Sequence, residues 1–159
     1  MAAWSLGTAG EDVPGLDAAL DGAGNLLFAY SVRGTTREGF VAKYAQASRL
    51  WSRSLQAAVA VGVAPDAADD VVATGFFGGP ANLGAGAISP VGVQDAFVAK
   101  YAGADGSHLW SRTFGTAGRS ITGAGVAIAS SGAVVVAGNF QGSIDFGGGS
   151  LVSAGGLDA

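Results

Sequence analysis

The chain has no cysteine and a single histidine, His108. Disulfides and thiolate metal sites are therefore excluded within one chain, and the usual nucleophile triads and zinc sites are not expected unless Ser-Lys or carboxylate chemistry is invoked. Charge is scarce as well. Only 13% of residues are charged, about half the usual share, and eight Lys and Arg stand against twelve Asp and Glu. No basic stripe exists, so a nucleic-acid partner is excluded. The longest apolar stretches, 57–65 and 133–138, fall far short of the ~20 residues that span a bilayer, so no membrane span is expected. The N-terminal Met1-Ala2-Ala3-Trp4-Ser5-Leu6-Gly7 has neither a basic n-region nor an apolar h-region, and no signal peptide is expected in this chain. Low hydrophobicity is missing too: the mean hydropathy is +0.40 and the formal charge only -4, which excludes disorder.

What is present is a repeat. Glu38-Gly39-Phe40-Val41-Ala42-Lys43-Tyr44 returns as Asp95-Ala96-Phe97-Val98-Ala99-Lys100-Tyr101, and Arg49-Leu50-Trp51-Ser52-Arg53 returns as His108-Leu109-Trp110-Ser111-Arg112. Ala3-Trp4-Ser5 is a partial further instance, and Gly7-Thr8-Ala9-Gly10 recurs as Gly115-Thr116-Ala117-Gly118. Three turns also superimpose, each followed by an apolar strand: Asp21 to Asn25 before Leu26 to Ala29, Asp66 to Asp70 before Val71 to Thr74, and Ala129 to Ala133 before Val134 to Ala137. Each of these predicts a hairpin, with 123–130 pairing with 133–140 in the third copy. Asn82-Leu83-Gly84-Ala85-Gly86 lies over Asp145-Phe146-Gly147-Gly148-Gly149, and Gln94-Asp95-Ala96 over Leu157-Asp158-Ala159. The first copy is trimmed there, with Gly34 reaching Phe40 in six residues.

Four strands per repeat of nearly 60 residues predict an all-β fold of β-propeller blades, each a four-stranded antiparallel sheet. About three blades are encoded, an incomplete ring. They form one repeat domain over 1–159, with copies at approximately 1–50, 51–109 and 110–159. The unbroken apolar runs of Leu26-Leu27-Phe28-Ala29 and Val134-Val135-Val136-Ala137 predict middle strands covered on both faces. The chain stops at Asp158-Ala159, where a third Phe-Val-Ala-Lys-Tyr is due, so an open stack with exposed sheet edges is expected. Such a stack is expected to close by self-association into a homo-oligomer, a dimer foremost.

This pattern, a Phe-Val-Ala-Lys-Tyr strand, a Trp-Ser strand, a Gly-Val-Ala hairpin and an Asp-Phe-Gly-Gly-Gly connection, resembles the bacterial propeller repeats of the SBBP type over nearly the whole chain. The resemblance implies a large secreted or cell-surface parent protein. It defines no catalytic residue that could be carried over.

The candidate chemistry is sparse. His108 stands where Arg49 stands in the preceding copy, with no partner or pocket evident around it, and is read as structural or surface. Asp17, Asp21, Asn25, Asp66, Asp69 and Asp70 cluster near turns in a manner that suggests calcium, yet Ala129, Ser130 and Ser131 replace the acids in the third copy. Turn chemistry is the expectation. Lys43 and Lys100 are equivalent and are read as solvated or edge-guarding charges, with a ring of anion contacts as the other possibility. Arg53 and Arg112 are expected to stack on aromatics of a neighbouring blade. Gly78-Gly79 and Gly147-Gly148-Gly149 lack a following Lys-Ser/Thr and helix, so they are turn residues and not a phosphate loop. Tyr44 and Tyr101 are expected in the core with Phe40 and Phe97, while Tyr30 joins them as a candidate sugar-stacking ring. Burying each Trp is worth roughly 4–6 kcal/mol gross, so Trp110→Ala is expected to destabilise strongly and Lys100→Ala little. No residue is assigned a catalytic, cofactor-binding or metal-ligating role, and no cofactor is expected. The expected function is a non-enzymatic scaffold or interaction module; the alternatives are a lectin-like module binding a glycan or other small ligand, and a propeller lyase or hydrolase. A protein partner is the other possible ligand.

Overall fold

The structure is a computed structural model that describes residues 15–33 and 37–159. Ala3-Trp4-Ser5, Gly7-Thr8-Ala9-Gly10 and Gly34 lie outside the described residues. Among the described residues there are fourteen strands and no helix, so the chain is all-β. Four of the strands, β1 (Gly15–Leu20), β2 (Leu26–Arg33), β3 (Arg37–Ala45) and β4 (Ser48–Ser54), form an antiparallel sheet in chain order. The second sheet joins β5 (Val59–Pro65), β6 (Val71–Phe77), β9 (Asp95–Tyr101) and β10 (His108–Phe114) in the same order, with a two-residue hairpin of β7 (Ala81–Asn82) and β8 (Ala87–Ile88) inserted before β9. The third unit has the hairpin of β11 (Thr122–Ile128) and β12 (Val134–Asn139) and the small hairpin of β13 (Ser143–Asp145) and β14 (Ser150–Val152). β12 has no second full partner strand among the described residues; one bridge, Phe140 to Asp158, stands where Phe77 pairs with Asp95 in the second sheet.

The repetition extends to irregularities. In each hairpin the first strand bulges at the same place, between Gly15 and Asp17, Ala60 and Gly62, and Gly123 and Gly125. The fourth strands bulge alike, skipping Leu50 before Trp51 and Leu109 before Trp110. Bulges add twist, and twist at matching positions lets successive sheets nest. β5 accordingly lies against β1, β2 and β3, and β11 lies against β5, β6 and β9.

The main core sits between the first two sheets. Leu27, Val41 and Trp51 come from one side and Val71, Phe97 and Tyr101 from the other. Period-two alternation explains the division: Phe97, Ala99 and Tyr101 face the first sheet, while Ala96 and Val98 face the third unit. A second, smaller cluster of Ala96, Ile121, Phe140 and Ile144 lies between the second sheet and the third unit. Phe28, Tyr30, Phe40 and Tyr44 line the far face of the first sheet. β2 alternates where its apolar run predicts cover on both faces, with Leu27 and Ala29 buried and Leu26 and Phe28 only partly buried on the far face, whereas β6 is buried along nearly its whole length. β12 departs from the same expectation: Val134, Val135 and Val136 are all exposed, because nothing among the described residues covers either its edge or its far face.

The turn between β9 and β10 is pressed against the first sheet. Gly106 has φ +69° and a Cβ there would lie 2.6 Å from the Trp51 ring, whereas Gly24 has φ +78° and open space around it. Both positions strain an L side chain, and only the first adds a clash. Gly106→Ala is expected to cost about 2–4 kcal/mol and Gly24→Ala about 1 kcal/mol. Urea midpoints of the two variants check this, and equal shifts would remove the close approach from the account.

Candidate functional site

The acidic turns explain themselves by hydrogen bonding. Asp21 Oδ1 accepts from the amides of Ala23 at 3.0 Å and Asn25 at 2.7 Å, and Asp66 Oδ1 accepts from those of Ala68 at 2.9 Å and Asp70 at 3.0 Å. The third turn closes with the same backbone pair, Ala129 to Ala133 and Gly132 to Ala129, without any acid. Backbone geometry makes the turn, and the carboxylates reinforce it. Asp17 instead accepts from the Val63 amide at 2.8 Å, and Asp69 from the Gly22 amide at 2.7 Å, so both tie the first sheet to the second. Among the described residues no three His, Cys, Asp or Glu side chains gather into a group that could hold a metal ion.

The lysines are neither solvated nor edge-guarding. Lys43 is 5% exposed; its Nζ lies 2.8 Å from Asp21 and donates to the Gly103 carbonyl at 3.0 Å. Lys100 is more open and pairs with Asp66 at 2.6 Å and Asp70 at 3.0 Å. An ammonium in mid-strand between apolar sheets must find a counter-charge, and the turn acid of its own sheet stands nearest. Burial pushes the Asp21 carboxyl up, but the Lys43 ammonium and the Asn25 side chain and amide outweigh it and hold the group at about 2, below the usual 3.8. Asp66 is lowered on the same balance, burial opposed by Lys100 and the Ala68 and Asp70 amides. The hydrogen bonds that the Lys100 ammonium donates to Asp66 and Asp70 raise it above 10.5.

These shifts set a pH dependence. A carboxyl lowered in the folded state stabilises fully above its unfolded value and loses that contribution as pH falls through its folded value. The Asp21 contribution, about 2 kcal/mol, is therefore expected to be present above pH 3.8 and lost toward pH 2. A urea series from pH 6 to pH 2 on the wild type and Asp21→Asn checks it, since the gap between the two curves is expected to narrow by about 2 kcal/mol toward the acid end.

Among the described residues neither Arg53 nor Arg112 stacks on an aromatic ring. Arg53 Nε donates to the Gly106 carbonyl, and Trp51 Nε1 donates to the Gly103 carbonyl at 3.1 Å. Lys43, Trp51 and Arg53 thus form a clamp of three donors that receives the β9–β10 turn of the following sheet. Sequence reasoning missed this clamp. Its signal was present in the Lys, Trp and Arg that recur together, since Lys43 pairs across the strands with Trp51 exactly as Lys100 does with Trp110. Tyr101 is buried; its hydroxyl donates to the Leu83 carbonyl at 2.9 Å, and burial pushes its phenol up against the opposing pull of Arg53. Tyr44 is buried too, on the far face of the first sheet, and burial likewise raises its phenol. Tyr30 is stacked between Phe28 and Phe40 in that cluster. None of the three presents a free ring face. His108 lies edge-on to Tyr101 with Nε2 3.0 Å from Ser111 Oγ, a strand-local contact. The paired glycine loops are turns: Asn82 Oδ1 accepts from the Gly84 and Gly86 amides, and Asp145 Oδ1 from the Gly147 and Gly149 amides.

The second copy of the clamp faces open space. Lys100, Trp110 and Arg112 stand where Lys43, Trp51 and Arg53 stand, and no turn among the described residues is seated on them. Trp110 is 36% exposed against 7% for Trp51. This reverses the expectation from sequence, because Trp51 and not Trp110 carries the buried sheet-to-sheet contact. Trp110 and Arg112 line one wall of a groove of about 910 Å³; Val134, Val136 and Gly138 of β12 line the other, and Phe146 closes one end. The groove is mostly apolar. Leu151, Val152 and Leu157 lie exposed nearby on the same unit.

No family model matches the chain, and no curated protein matches it in sequence. No helix among the described residues is long and apolar enough to cross a membrane.

Proposed function

We propose that the chain is a non-enzymatic interaction module of β-propeller type, in which successive four-stranded sheets are blades and the open third unit serves to associate with further copies. The resemblance to SBBP-type repeats, and with it a secreted or cell-surface parent, belongs to this reading. One observation carries it: the first sheet-to-sheet junction buries Trp51 of β4, whereas at the second β11 covers β6 and β9 but leaves the equivalent Trp110 of β10 open among the described residues. The exposed β12 adds to it. Apolar strands with a free edge recruit other chains. The apolar lining of the groove favours a polypeptide partner over a sugar, which would need an array of polar groups.

Native mass spectrometry with sedimentation velocity over a range of concentration tests this. Closed oligomers, a dimer foremost, are expected at micromolar concentration, and a strict monomer at all concentrations would contradict self-association.

A further inference from the structure

We propose that the Asp105-Gly106 step in the β9–β10 turn is a site of spontaneous covalent modification, where the aspartyl residue closes to a succinimide and reopens as isoaspartate, loosening the junction between the first two sheets. The reaction consumes no reagent beyond water, and it is independent of how chains associate.

The chemistry is intramolecular. The backbone nitrogen of Gly106 attacks Cγ of the protonated Asp105 carboxyl; a C–N bond forms, a C–O bond breaks, and the hydroxyl leaves with the amide proton as water. Water then re-adds to the ring. Where it cleaves the bond from the nitrogen to the former main-chain carbonyl, the chain runs on through Cγ, one methylene longer, with the α-carboxylate left as a side group. Mass is unchanged. The step is easiest where the next residue has no Cβ to obstruct the nitrogen, and the sequence holds two such steps, Asp21-Gly22 and Asp105-Gly106, and no Asn-Gly.

The fold locks the first of these. Asp21 is 6% exposed; its Oδ1 accepts from the Ala23 and Asn25 amides, and its Oδ2 accepts from the Asn25 side chain at 2.9 Å and from the Lys43 ammonium. The nitrogen that would attack it is engaged as well, since the Gly22 amide donates to Asp69 Oδ1 at 2.7 Å. A carboxyl held at about 2 is also seldom in the acid form that can lose a hydroxyl. Asp105 is exposed at the tip of its turn and is held by Ser107, whose amide donates to Oδ1 at 2.8 Å. An Asp bonded two residues on folds its carboxyl back over the intervening peptide, toward the nitrogen that must reach it. One further bond has to open for attack, from the Gly106 amide to the Ala102 carbonyl at 2.8 Å.

The product falls on the clamp. Gly106 gives its carbonyl to Arg53 Nε, and a Cβ on it would lie 2.6 Å from the Trp51 ring. A turn packed so closely has no room for an added methylene.

The test incubates the intact folded chain in heavy-oxygen water at mildly acidic pH, above the range in which Asp21 is protonated. Trypsin releases Asp105 in the peptide 101–112 and Asp21 in a separate peptide ending at Arg33. Uptake of one heavy oxygen, with the fragment ions of isoaspartate, is expected at Asp105 about tenfold or more faster than at Asp21. In concentrated urea the two steps are expected to react at comparable rates, and a like difference there would remove the fold as its cause. Asp105→Glu, which would need a six-membered ring, is expected to take up none. The purified isoaspartyl form is expected to unfold at a lower urea midpoint, with red-shifted tryptophan emission. Equal or faster uptake at Asp21 in the folded chain, or none at Asp105 while the urea sample reacts, would overturn the site. An isoaspartyl form with the unmodified midpoint would overturn its effect on the junction.

Discussion

Trp51→Ala is expected to lower stability by about 3–5 kcal/mol, and Trp110→Ala by only about 1 kcal/mol, although the two residues are equivalent in the repeat. Trp51 is buried under the following sheet and its indole N–H donates to the Gly103 carbonyl at 3.1 Å. Truncation removes a large apolar contact and leaves a cavity lined by Gly106, and it strips one of two donors from a buried carbonyl. Trp110 has 36% of its surface in solvent and no turn above it, so its loss empties little. In a chain of this size the difference corresponds to a melting temperature lower by roughly 10 °C for Trp51→Ala. Equal shifts would contradict the asymmetry between the two junctions.

Asp21→Asn is expected to cost about 3–5 kcal/mol, the effect of leaving a buried ammonium without its counter-charge. The amide keeps an acceptor for the Ala23 and Asn25 amides, so the turn itself is spared. Lys43→Met in the same chain is expected to restore most of the loss, since a buried pair replaced by apolar volume is often neutral. Asp66→Asn should cost far less, because Lys100 is more open and retains Asp70 at 3.0 Å. Urea midpoints of the three variants form the comparison. If the double variant were no more stable than Asp21→Asn, the ion pair would not be the source of the effect.

Much of this architecture was legible in the sequence because its signals are local. The Asp/Gly turns, the apolar strands after them and the Asn82 and Asp145 loops each encode their own backbone, and they recur at matching positions. Strand order in the two sheets follows from the same recurrence. The side-chain partners were less legible. Lys43 and Lys100 look like surface charges when only their own strand is considered, whereas the acids that hold them lie in turns more than twenty residues away. The clamp was harder still, since its acceptors are carbonyls of glycines, which carry no side-chain signature. Equivalence also misled: it equates Trp110 with Trp51, while burial depends on what each sheet has beside it.

The central claim is that the junction sealed between the first two sheets is repeated at the third unit with its β6 and β9 part covered by β11 and its β10 part open beside β12. Hydrogen exchange on β6 and β12 at matched residues, followed as a function of chain concentration, addresses it most directly. Val71–Gly75 should be protected at every concentration, while those amides of Val134–Gly138 that point away from β11 should exchange rapidly when dilute and slow progressively as chains associate. Equal protection of both strands at the lowest concentration, or exchange of β12 that ignores concentration altogether, would contradict the claim.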